Sequence, residues 1–65
     1  MQLTINGEKR EMQATHVGQL LEALKLLPSQ VAVEHNGTVL FRQELDKANL
    51  QPGDKIEIVR VVAGG

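Results

Sequence analysis

Gln51-Pro52-Gly53-Asp54-Lys55-Ile56-Glu57-Ile58-Val59-Arg60-Val61-Val62 is the stretch that decides the fold. Pro at the second and Gly at the third position of Gln51–Asp54 spell a type II β-turn, because Pro presets φ and Gly accepts the positive φ that follows. Residues 55–62 alternate charged and β-branched side chains, then become almost wholly apolar, which predicts a strand buried well enough to sit inside a sheet. A strand of that kind at the end of a chain needs two earlier strands to receive it.

Working back toward the start, two hairpins are legible. Leu3 and Ile5 alternate with polar neighbours, and Asn6-Gly7 is the dipeptide favoured by a two-residue type I′ turn. The return strand Glu8-Lys9-Arg10-Glu11-Met12 is almost wholly charged, which suits a sheet edge that must not pair with another chain. Val31-Ala32-Val33-Glu34-His35, Asn36-Gly37 and Thr38-Val39-Leu40-Phe41 repeat the pattern. Between the hairpins, Val17, Leu20, Leu21 and Leu24 fall at helical spacing, leaving Gln19, Glu22 and Lys25 for water. Thr15 reads as the N-cap, and Pro28, which disfavours the helical conformation at Leu27, places the end near Leu26. Residues 45–50 read as one turn of helix or a 3₁₀ piece.

The order is β-β-α-β-β-turn-β. One amphipathic helix covers one face of one sheet, so the class is α+β in two layers. A last strand placed centrally beside the first makes the arrangement a β-grasp, the ubiquitin-like fold, with a mixed sheet of four to five strands. Residues 1–62 form the domain, and residues 63–65 a flexible tail ending in Gly64-Gly65.

Composition narrows the function. The chain has 65 residues and 42% hydrophobic content with Phe41 as its one aromatic, so a small aliphatic core is expected. It has no cysteine, hence no thiolate nucleophile, disulfide or zinc-thiolate site. A net charge of −1 with dispersed Lys and Arg gives no cationic footprint for nucleic acid. The opening residues lack a leader pattern and no apolar run has membrane-spanning length, so a cytoplasmic location is expected. His16 and His35 lie far apart with no ligand spacing between them, read as surface histidines, and predict no metal site. The carboxylates are scattered, each with a plain role as solvated face or turn former, so no acid/base pair and no catalytic residue of its own is expected.

The segment Val31-Ala32-Val33-Glu34-His35-Asn36-Gly37, the run Pro52-Gly53-Asp54-Lys55-Ile56-Glu57-Ile58-Val59 and the final Gly64-Gly65 resemble the ThiS sulfur-carrier proteins of thiamin biosynthesis. The likeness spans essentially the whole chain. Ala63 stands where that family often has glycine, a small departure. Small subunits of molybdopterin synthase, also ending in Gly-Gly but usually longer, are the nearest rival, and a ubiquitin-like binding or conjugation module is the other alternative.

The resemblance implies a protein cosubstrate, with no bound cofactor. In that family an E1-like adenylyltransferase of the ThiF type uses ATP to adenylate the terminal carboxylate. Sulfur from a donor such as a cysteine desulfurase system then replaces AMP, and thiazole synthase of the ThiG type receives it. Carried onto this chain, Gly65 is the modified residue and Gly64 the one needed for threading. A β-carbon at either position would crowd a narrow site, and a free carboxylate needs an activated leaving group before sulfur can enter. Ordering so short a tail costs about 1–2 kcal/mol of backbone entropy per residue, so affinity must come from the domain. One helix cannot cover both sheet faces. Phe41, Val59 and Val61 are therefore the expected outward patch for docking on the activating enzyme, with closure of the core edges as the plain alternative. Arg60 is a candidate for an acidic partner surface, or simply a solvated arginine.

Overall fold

The computed structural model of the protein describes residues 1–61. The expected last strand residue Val62, and the tail with Gly64 and Gly65, lie outside the described residues. Strand β1 (Gln2–Ile5) turns through Asn6-Gly7 into β2 (Glu8–Glu11), and helix α1 (Val17–Ala23) follows. A 3₁₀ turn (Pro28–Gln30) leads into β3 (Val31–His35) and β4 (Thr38–Leu40), a second 3₁₀ segment spans Arg42–Lys47, and β5 (Lys55–Arg60) closes the order.

These strands form one sheet in the order β2-β1-β5-β3-β4. The last strand is central: β5 runs parallel to β1, with Ile5 opposite Ile56, and antiparallel to β3, from Val31 opposite Arg60 to His35 opposite Ile56. This is the expected β-grasp. Its wholly charged β2 lies at an edge, fully exposed.

Both hairpin turns have the type I′ backbone, with φ of 51° and 83° at Asn6 and Gly7 and of 50° and 86° at Asn36 and Gly37. Each Asn has a second task that turn propensity does not announce. Pairing of β1 with β5 stops at Ile56, and beyond it the Asn6 side-chain amide takes over: Ile58 N–H donates to Asn6 Oδ1 at 2.7 Å while Asn6 Nδ2 donates to the Ile58 carbonyl at 3.1 Å. Asn36 does the same at the other end, where Lys55 N–H donates to Asn36 Oδ1 at 2.8 Å and Asn36 N–H donates to the Lys55 carbonyl at 2.8 Å.

The core lies between α1 and the sheet. Leu3, Val17, Leu20, Leu21 and Ile56 are completely enclosed, each stabilising the fold by about 1.5–3 kcal/mol. Leu45 and Leu50 seal one side, so the 3₁₀ segment is a core element and extends further toward the N-terminus than its mixed polarity suggests.

Two helix boundaries differ from the sequence reading. The N-cap is His16, not Thr15: the His16 ring Nδ1 accepts from Gln19 N–H at 3.1 Å, and Thr15 is bound instead by the returning Gln19 side chain. The helix ends at Ala23, not near Leu26. Leu26 N–H donates to the Leu21 carbonyl and Lys25 N–H to the Glu22 carbonyl, the Schellman pattern, with Lys25 at φ 60° where glycine is usual. A lysine there hides the stop signal from sequence reading.

Asn6→Gly separates the two tasks of that residue. Turn propensity alone predicts a neutral change, whereas the lost amide pairing predicts destabilisation by about 1–2 kcal/mol, measured by urea unfolding.

Candidate functional site

Strand alternation divides the side chains of β5 between the two faces of the sheet. Ile56 and Ile58 point under the helix, while Lys55, Glu57 and Val59 point to the open face. Val61 continues the second set, since its N–H donates to the Gln30 carbonyl at 2.9 Å and so extends the pairing with the β3 side one step past β5. The last described residue is thus pinned to the sheet.

Register assembles an apolar patch around this end. Val59 lies opposite Ala32, and Val39 opposite Glu34 on the same face. Phe41, in extended conformation just after β4, carries that register on to the place opposite Ala32. Its backbone is held from both sides: Phe41 N–H donates to Glu44 Oε1 at 2.7 Å, and Glu44 N–H donates to the Phe41 carbonyl at 2.8 Å. Phe41 is 64% exposed, Val59 61%, Val39 56% and Val61 51%, so these side chains are surface and not core edge. Four large apolar groups gathered on one open sheet face of a small domain have the character of a docking surface.

The structure therefore brings Phe41, Val59 and Val61 together, and adds Val39. Sequence reading passed over Val39, although alternation within Thr38–Phe41 sets it on the same face as Phe41. Arg60 does not join them. Out of phase with Val59 and Val61, it stands opposite the buried Val31 on the helix side, where it flanks a shallow groove with Arg10, Leu24 and Leu26.

A polar cluster closes the far end of β5. Here the surface reading of His35 is corrected, while Asp54 acts as the turn former expected of it and also reaches across to β3: their side chains are only 18% and 14% exposed, and His35 Nε2 donates to Asp54 Oδ2 at 2.8 Å. Asp54 also accepts from Gln51 N–H at 2.9 Å and Asn36 Nδ2 at 3.1 Å. Burial alone would push the Asp54 carboxyl up, but these hydrogen bonds outweigh it and hold the group below its ordinary value of 3.8. The turn needs a carboxylate to gather two chain segments, and proximity to His35 comes only from the pairing of β3 with β5. Among the described residues no group of three or more His, Asp or Glu side chains converges as a metal site would, and no helix is long and apolar enough to cross a membrane.

Comparison with known proteins agrees with this architecture. The ThiS family model matches residues 3–65. The chain belongs to the ThiS family. It is 36% identical to a crystal structure of the thiamine biosynthesis protein ThiS from Geobacter metallireducens, with a TM-score of 0.84 and full coverage of both chains. A solution structure of a Geobacter metallireducens thiamine biosynthesis protein gives a TM-score of 0.81 over all of this chain and 88% of that one. The chain is also 38% identical, over its whole length, to part of proteins named thiazole synthase from Magnetococcus marinus and Paramagnetospirillum magneticum. It spans 20% of the length of each.

The Asp54 cluster generates a pH prediction. Because the carboxyl is lowered in the folded state, its contribution is present at neutral pH, above the unfolded value, and is lost as pH falls through the folded value. Asp54→Asn should therefore lower stability at pH 7 by about 1–2 kcal/mol, and urea unfolding near pH 3 should show a smaller gap from the parent protein.

Proposed function

We propose that this ThiS-family chain is a sulfur carrier of thiamin biosynthesis that works through the α-carboxylate of Gly65. The observation that carries the reading is the exposed apolar patch of Phe41, Val59 and Val61, gathered beside the end of the central strand that leads to residues 62–65. A surface there lets an enzyme grip the domain while reaching the glycines. The family match extending through Gly65 supports the same role for the terminus.

The chemistry divides between partners. An E1-like adenylyltransferase joins the Gly65 carboxylate to the α-phosphate of ATP with loss of pyrophosphate, which converts a poor electrophile into a mixed anhydride. A persulfide supplied by a donor such as a cysteine desulfurase system attacks the carbonyl carbon through its outer sulfur and AMP leaves; a thiol then reduces the acyl disulfide so formed, releasing the thiocarboxylate and a new disulfide. Thiazole synthase takes that sulfur, a step consistent with relatives of that name that contain a stretch similar to this whole chain. The carrier contributes the electrophilic carbon and a recognition surface, and the enzymes supply charge stabilisation.

Residues 62–65 reach about 13 Å when extended, enough to enter a crevice while the patch stays on the enzyme surface. Deleting Gly65, or adding residues after it, should abolish sulfur loading and shift the melting temperature by less than about 2 °C, because the change lies outside the core. Intact mass spectrometry after incubation with ATP, a sulfur donor and the activating enzyme reads replacement of oxygen by sulfur. Loading of the truncated chain would refute the terminal mechanism.

A further inference from the structure

The open face carries a feature that sheet stability does not explain. Glu34 and Glu57 stand directly opposite one another on the adjacent strands β3 and β5, both exposed. Like charges in that position destabilise a sheet. Neither forms an ion pair among the described residues, although Lys55 lies two residues from Glu57 on the same face. The pair borders the apolar patch: Val39 flanks Glu34 across β3 and β4, and the next row of side chains is Phe41, Ala32 and Val59. Moving away from the terminus, the face therefore runs from apolar side chains to two uncompensated carboxylates on the same central strands.

We infer that this face docks onto a protein surface whose apolar pocket receives Phe41, Val59 and Val61 and whose rim sets a lysine or arginine against Glu34 and Glu57. The inference rests on the carrier reading above and names the occupant as thiazole synthase. That choice follows from the proteins of that name in which a stretch similar to this chain is part of the same polypeptide. Charge complementarity is the argument for the rim. A cation placed between the two carboxylates relieves in the complex the repulsion that the free domain tolerates, so the pair favours association over the isolated state. Gly65 lies eight residues past Glu57 in the sequence, which limits the separation of their Cα atoms to about 28 Å.

The test uses the full-length chain and thiazole synthase from the same organism, with association measured by biolayer interferometry at low and high salt. Three variants are compared: Glu34→Gln/Glu57→Gln, Glu57→Lys, and Val59→Ser/Val61→Ser, each checked for folding by circular dichroism. Both charge variants should melt at or slightly above the parent temperature, by about 2 °C, because repulsion is removed. Both should bind thiazole synthase at least about fivefold more weakly at low salt, mainly through slower association, with a flatter salt dependence. Binding within twofold of the parent for both charge variants, while the valine variant is weakened, overturns the cationic rim and leaves the apolar surface standing. Unchanged binding for all three overturns the docking face itself. Weakened binding to the activating enzyme with none to thiazole synthase overturns the named occupant. Sulfur loading of Gly65, read separately by mass, tests the carrier reading independently of each result.

Discussion

Everything in this domain depends on hydrogen bonding to both edges of β5. The strand enters between β1 and β3, parallel to one and antiparallel to the other, so two hairpins distant in sequence become one sheet only through it. Such non-local pairing carries a loop-closure cost that burial of Ile56 against the helix helps to offset. Where strand pairing runs short, side chains replace it. Asn6 supplies a donor and an acceptor to Ile58, and Asn36 secures Lys55.

This central position joins stability to function. The start of β5 is fastened by Asp54, which gathers His35, Asn36 and the Gln51 backbone, and its far end is fastened by Val61 to Gln30. The end of the described chain is therefore approached along a strand paired on both edges. Because one helix shields one face, the opposite face remains available for recognition, and Phe41, Val59 and Val61 lie on it by strand phase alone.

Much of the fold was legible because its signals are local. Asn-Gly at 6–7 and 36–37, Pro-Gly at 52–53, the helical stripe of Val17, Leu20 and Leu21, and the charged β2 each act over a few residues. The helix end was not, because Lys25 occupies a left-handed position that sequence statistics assign to glycine. His35 looked like a surface histidine and Asp54 like a turn former unconnected with it, because the strand pairing that joins them is invisible along the chain. Of the expected docking residues, Phe41, Val59 and Val61 share a face, whereas Arg60 does not, since adjacent residues in a strand point to opposite sides.

By itself the sequence determined the order of elements, the turn geometry, the lack of cysteine and the resemblance to the ThiS family. These follow from residue type and short-range spacing. Only the tertiary structure decided which side chains meet: the Asn6 amide on Ile58, His35 on Asp54, Val39 added to the apolar face, and Glu34 set against Glu57. Each of those contacts is created by strand register, and register is a relation between segments that no single segment encodes.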